Sequence, residues 1–406
     1  MTRMGGTRCL VAAVLVAGIS LLMLMSIGSV GARAAAASPV IIGFLDEERG
    51  PNAFPANGAA AHAARDYVNS TLNGINGREL KFVDCMTDGS PEASIDCANQ
   101  FVEARVVAVL MGVDIGSDAA LPILTAAHIP LIGHVAIGSA QTVSKDAFFF
   151  GAPIQAFVAA PLKLMAQRLH VKSVAFIIQD NPVTRTSLIP DGVAPAAKNL
   201  KLKLTNVLFS AANPDYTQTV TTALAAHPDA LLIGGSEAEC TSLVAAIRQV
   251  GYPGVVGVAA CTLFVSADPK AAEGVYTVND LWVQSAEAGA PKAKVAELRV
   301  FAAQMKRSAP QYAADGSAQR MFSSVMDLAT ILRAIKGRIS STTVLQQLRR
   351  TKNVPSFMGQ PITCDGKQWP DQRSVCAGGM LVFRVHDGAP RAFSGGYVYP
   401  RDVVSH

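Results

Sequence analysis

The sequence predicts an α/β fold of two lobes, each a mostly parallel sheet flanked by helices. Three observations lead there. From Val40 to Val278, short β-branched runs alternate with helical stretches, the pattern of parallel strands joined by crossover helices. The alternation comes in two blocks that part near Phe148-Phe149-Phe150-Gly151, and long helices replace it beyond Val278. Half of the 406 residues are hydrophobic, enough for one large or two medium domains.

In the first block the sequence predicts strands at Val40–Leu45, Leu80–Asp84, Val106–Met111 and Ile129–Ile132. The second block predicts them at Ser173–Ile178, Lys203–Leu208, Ala230–Ile233 and Val255–Val258. Between them, apolar residues recur at helical spacing. Ala60, Ala64, Tyr67 or Val68, and Leu72 share one face opposite His62, Arg65, Asp66 and Asn69. Ile95, Ala98 and Val102 repeat the pattern, as do Leu243, Ala246 and Val250. The second block opens with a helix from Pro153 to Leu169. The late helices are expected at Lys292–Arg307, Ser317–Ile335 and Thr342–Leu348. The tail from Pro355 is turn-rich, with strands expected at Met380–Val385 and Ala392–Tyr399.

The chain begins with a basic tip, Met1 to Arg8, then 22 apolar residues from Cys9 to Val30, then small residues through Ala37. This is the order of an export signal, residues 1–37, with Ala32-Arg33-Ala34 or Ala35-Ala36-Ala37 as the cut site. An uncleaved anchor is the alternative, since that length spans a ~30 Å hydrocarbon core. Both readings put the folded part outside the cytoplasm. Cys9 precedes the apolar stretch and is no lipid-attachment site. Removing 1–37 takes away Arg3, Arg8 and Arg33 and lowers the formal charge from +5 to +2, which gives no reason to expect nucleic acid.

The remaining six cysteines form three neighbouring couples: Cys85 and Cys97, Cys240 and Cys261, Cys364 and Cys376. Local disulfides are the simplest pairing, although sequence alone does not choose it. Each would stabilise the fold by about 3 kcal/mol in the chain-entropy model. Metal binding competes weakly: there is no C-x-x-C, and the seven histidines are dispersed.

Catalytic signatures are missing. Gly234-Gly235-Ser236-Glu237-Ala238 lacks the last glycine of a nucleophile elbow. There is no P-loop, H-E-x-x-H or EF-hand loop, and no cofactor or metal is expected. Asp46, Glu47 and Asp114 are carboxylates that an exported hydrolase would need. Asp114, directly after an apolar strand, reads either as a cap for the helix starting near Ser117 or as a ligand acceptor. In open α/β sheets ligands sit at the carboxyl ends of strands. The relevant loops are Asp46–Phe54, Gly112–Ser117, Gly133–Gln141, Gln179–Thr186, Gly234–Glu239 and Val258–Leu263.

Several ordered segments carry a resemblance. The strand Val40–Leu45 runs to Gly50-Pro51, then to an alanine-rich helix ending Tyr67-Val68-Asn69, then to Gly77-Arg78-Glu79-Leu80-Lys81-Phe82-Val83-Asp84-Cys85. Val106-Val107-Ala108-Val109-Leu110-Met111-Gly112, Ala127-His128-Ile129-Pro130-Leu131-Ile132-Gly133 and Ala272-Glu273-Gly274-Val275-Tyr276 follow. Together they resemble the leucine/isoleucine/valine-binding family, substrate-binding components of ABC importers with the type I periplasmic-binding-protein fold. The likeness covers about 39–350.

The resemblance implies two lobes joined by three crossovers, 39–152 plus 281–350 and 153–280 plus 351–406. It implies a monomeric receptor that closes on a small ligand and delivers it to a membrane permease, without catalysis. A ligand-sensing receptor subunit is the alternative. The family's carboxylate-holding serine after the third strand falls at Asp114, with Ser117 nearby. Its A-A-T loop falls at Val135-Ala136-Ile137, with Ser139 two residues on. The ammonium-binding acid falls near Ala259; the aromatics fall at Phe54, Thr184 and Ser236. The expected ligand is therefore not a plain aliphatic amino acid. It is a small polar or aromatic molecule bearing hydroxyl or amino groups, held by Asp114 and by Glu47 or Glu48.

Overall fold

A computed structural model describes residues 38–50 and 53–405. The export signal or anchor and Cys9 lie outside the described residues. Five strands, β1 (Val40–Glu47), β2 (Leu80–Thr87), β3 (Val109–Met111), β4 (Leu131–Gly133) and β5 (Ala147–Phe149), form a parallel sheet in the order β2-β1-β3-β4-β5. Seven more form a second sheet: β6 (Ser173–Gln179), β7 (Lys203–Phe209), β8 (Ala230–Ile233), β9 (Val255–Ala259), β10 (Tyr276–Asn279), β11 (Leu381–His386) and β12 (Ala389–Ala392). Their order is β12-β11-β10-β9-β8-β6-β7, parallel from β7 to β10 and antiparallel at β11 and β12. The parallel strands of both sheets share one winding, with its reversal between β1 and β3 in one and between β6 and β8 in the other. Such reversals leave a crevice at the strands' carboxyl ends.

The strands are apolar because both faces are covered. In β1, Val40, Ile42, Phe44 and Leu45 are buried. The helix Pro55–Ser70 starts with proline at its first position, where the missing N–H is harmless. It buries Ala56, Ala60, Ala64 and Val68, and its small side chains let the long helix Gly316–Arg333 pack closely. Asp315 caps that late helix, accepting from the N–H groups of Ser317 and Ala318. The late helices Lys292–Ser308, Gly316–Arg333 and Ser341–Arg350 share one core with β1, through Phe301, Phe322, Leu332 and Leu348. They complete the first layer of helices and need no third core.

The tail divides its contacts. Met358, Ile362 and Cys364 join the first core, whereas Met380 and Val382 join the second. The Cys376 N–H donates to Phe149 of β5 (2.8 Å). All three neighbouring cysteine couples are disulfide-bonded: Cys85–Cys97, Cys240–Cys261 and Cys364–Cys376.

Three local expectations need correction. The last strand is β12 at Ala389–Ala392, not Ala392–Tyr399, because Asp387-Gly388 turns the chain earlier with positive φ at both residues. Ser394-Gly395-Gly396 then interrupts the remainder, which keeps only the Met380–Val398 bridge. The segment Thr184–Val193, expected as a loop end, is a π-helix containing Pro190; a proline without an N–H cannot continue an ordinary i→i−4 ladder. β3 begins at Val109 instead of Val106. Among the described residues, no helix is long and apolar enough to cross a membrane.

Candidate functional site

The two winding reversals face one cavity of about 500 Å³, a size typical of small-molecule pockets. The first sheet's loops contribute Phe54, Val113, Ile115, Val135 and Ile137. The second sheet's loops contribute Gln179, Thr184, Gly235, Ser236 and Ala259. Helix Ile154–Arg168 adds Ile154, Phe157 and Val158, and helix Gly316–Arg333 adds Arg320. Most of the wall is therefore hydrocarbon, with polar atoms at a few points.

Of the residues singled out in the sequence, Phe54, Ile137, Thr184, Ser236 and Ala259 meet in this cavity. Ala136 is buried in the core beside Leu121 and Leu124, one residue behind the wall. Ser139 is exposed at the start of helix Ser139–Val143.

Asp114 and Glu47, expected to hold the ligand, are engaged within the first lobe and do not line the cavity. Asp114 is fully buried and points back into the first sheet. Its carboxylate accepts from Ser94 Oγ (2.7 Å), Thr87 Oγ1 (3.0 Å) and Gly116 N–H (3.2 Å), and its carbonyl accepts from Ser117 N–H (3.2 Å). It shapes the turn into the short 3₁₀ helix Ser117–Ala119 from two residues ahead of the N-cap, which is Gly116 and has no side-chain cap. Glu47 is equally buried, against Gly89, and takes the Ile115 N–H at 3.4 Å. Glu48 closes over Gly58. Burial raises the pKa of all three. Asp46 binds Asn57 Nδ2 and Val113 N–H, and burial pushes its pKa up to about 8. These acids support the loop behind the wall.

Opposite, Ser236 and Glu239 form a capping box on helix Glu237–Gln249, with Glu239 Oε2 accepting from Ser236 N–H at 2.7 Å. Glu237 accepts from Thr262 and Leu263 N–H, both at 2.8 Å, and from Gly316 N–H at 3.4 Å. It thereby ties the loops after β8 and β9 to the start of the Arg320 helix.

Arg320 was not singled out in the sequence. Its guanidinium carbon sits 5.7 Å from the centroid of Phe157, and its Nη1 is buried without a hydrogen-bond partner. A lone cation among the buried Ala318, Met321 and Phe322 was the available signal. Among the described residues, no group of His, Cys, Asp and Glu is placed to hold a metal ion.

A two-lobed α/β scaffold with a cavity between facing winding reversals defines a ligand-binding receptor. A sequence model of periplasmic binding proteins matches residues 39–389, and the chain belongs to that family of extracytoplasmic binding proteins. No curated protein matches the chain. Among solved structures, it is similar to an ABC transporter substrate-binding protein from Sphaerobacter thermophilus (17% identity, TM-score 0.72, 89% of this chain and 98% of that one). It is also similar to the branched-chain amino acid transporter substrate-binding protein LivJ of Streptococcus pneumoniae, in complex with isoleucine (20%, TM-score 0.70, 87% and 97%). A third is a fatty acid ABC transporter substrate-binding protein from Thermomonospora curvata (15%, TM-score 0.67, 89% and 91%). At these identities the likeness is one of fold.

Proposed function

We propose that the protein is the extracytoplasmic solute-binding component of an ABC importer. It captures one small molecule in the cavity between its lobes and presents the closed form to a membrane permease. The lobes are 39–152 with 281–350, and 153–280 with 351–406, the Cys364 segment packing on the first. The observation that carries this reading is the single cavity walled by carboxyl-end loops of both sheets. A ligand there touches both halves at once and so favours their approach. Similar folds are named for isoleucine and for fatty acid, so fold alone leaves the ligand class open.

The test is small-angle scattering of the exported protein with a ligand library, alongside calorimetry. One ligand bound per chain, with a smaller radius of gyration and no turnover, is expected. Hydrolysis of the ligand, or a shape that no bound ligand alters, sinks the proposal.

A further inference from the structure

Resting on that reading, we infer that the ligand is an apolar monocarboxylate whose acid group is held by Arg320. The cavity wall decides the body of the ligand. Phe54, Ile115, Ile137, Phe157, Ile178 and Leu188 come from six different segments and leave a hydrocarbon-lined space of about 500 Å³. Polar side chains reach the wall only on the second sheet's side, at Gln179, Asn181, Thr184, Tyr216, Ser236 and Glu239, and at Arg320. A polyol would therefore be partnered on one side alone, whereas an alkyl or aryl chain gains by burial against the rest.

The head group follows from the unmet donor. Arg320 Nη1 is buried and unpartnered, a costly state unless a ligand supplies an acceptor. Of its two charged neighbours, Glu237 is engaged through both carboxylate oxygens, whereas Asp280 is engaged through Oδ2 alone and its Oδ1 is buried without a hydrogen bond to Arg320 or any other donor. Asp280 is held by His134 Nε2 (2.9 Å) and Ala152 N–H (3.0 Å), and Glu237 by Thr262, Leu263 and Gly316 N–H. Neither fills that donor. A carboxylate suits it best, because a planar fork of N–H groups matches two carboxylate oxygens. The Phe157 ring lies 5.7 Å from the guanidinium carbon and covers that side of it with hydrocarbon.

Glu239, also on the wall, is the one group that favours a different head. Its Oε2 already accepts from Ser236 N–H, but an ammonium could share it. An amino acid would then use Arg320 and Glu239 together, and the experiment separates that case.

Calorimetry on the exported protein uses hexanoate, octanoate and 4-phenylbutanoate, each beside its amide, with 2-aminooctanoate and leucine as the zwitterions. At least one acid should bind tenfold or more tightly than its amide and than the zwitterions. Arg320→Gln should erase the acid-over-amide preference while Arg320→Lys keeps part of it, both with unchanged circular dichroism. Equal binding of acid and amide, the same preference in Arg320→Gln, or no binding by any acid overturns the inference. Tighter binding of a zwitterion also overturns it, yet spares the receptor reading if that ligand compacts the protein. Should Arg320→Gln fail to fold, the acid-to-amide ratio of the natural protein decides alone.

Discussion

His134 Nε2 stands 2.9 Å from a carboxylate oxygen of Asp280, joining the residue that follows β4 in one sheet to the residue that follows β10 in the other. Both side chains are buried. Ser324 Oγ meets the other imidazole nitrogen at 3.2 Å, and the Ala152 N–H adds a donor to Asp280 from the crossover that leaves β5. Gly151 is required beside them: a Cβ there would fall 2.3 Å from Asp280 Oδ2 and 2.5 Å from His134 Nε2. The serine, histidine and aspartate occur in triad order but are sealed in the core, so they serve structure.

Removing the histidine strands Asp280, whose other oxygen already lacks a partner. His134→Ala should cost about 3–5 kcal/mol in denaturant unfolding, the range for one partner lost from a buried pair. Burial alone would raise the Asp280 pKa, but His134 and Arg320 hold it below the usual 3.8. Its contribution is present above that unfolded value and is lost as pH falls through the folded one. His134→Ala should therefore also lessen the acid sensitivity of the natural protein. A loss below 1 kcal/mol would show that the pair contributes little.

Asp46 and Asp327 behave oppositely. Burial lifts them from 3.8 to about 8 and about 7 respectively. Asp327 is fully enclosed and still accepts from Ser356 Oγ and Phe357 N–H, both at 2.7 Å. The folded protein holds these protons when the unfolded chain has released them. The stability they contribute is complete below pH 4 and declines as pH rises through the folded values. Asp327→Asn and Asp46→Asn should each flatten the stability profile between about pH 4 and pH 8. Parallel profiles for variant and natural protein would show that these carboxyls are charged in the fold.

Asp114→Ala leaves the Thr87 and Gly116 donors unsatisfied in the interior, while Ser94 Oγ keeps the Ser90 carbonyl at 3.1 Å. It should lower stability by about 1–3 kcal/mol for each donor that finds no water. Ligand affinity per folded molecule should stay within about twofold. A stable variant that no longer binds would restore Asp114 to the ligand site.

Cys240→Ser with Cys261→Ser opens a loop of 21 residues between the Gly235 and Ala260 walls of the cavity. The chain-entropy model assigns that closure about 3 kcal/mol. Unfolding midpoints with and without the substitutions measure it, and identical midpoints would show that packing alone fixes those walls.

The sheets were legible in the sequence because a parallel strand covered on both faces must be a short, continuous apolar run. Ala230–Ile233, for instance, is placed residue for residue. The disulfides were legible as neighbouring couples. The cavity was half legible: strand ends pointed to the right loops, since winding puts those loops there, and the family resemblance picked out Phe54, Ile137, Thr184, Ser236 and Ala259 within them. Position along the chain did not reveal direction, and so Asp114 and Glu47, beside the wall, turn away from it. Arg320 was hidden because its place depends on a late helix returning to the first core, which local periodicity does not encode.

The three disulfides each close a short loop, their partners 12, 21 and 12 positions apart in sequence. None spans the cavity from one wall to the other. Oxidative maturation is thus uncoupled from traffic through the receptor. On the proposed importer reading, the covalent staples can all be in place before a solute binds, and neither binding nor release needs thiol chemistry. Reductant should soften the scaffold piece by piece while leaving the mouth of the cleft free to open and shut.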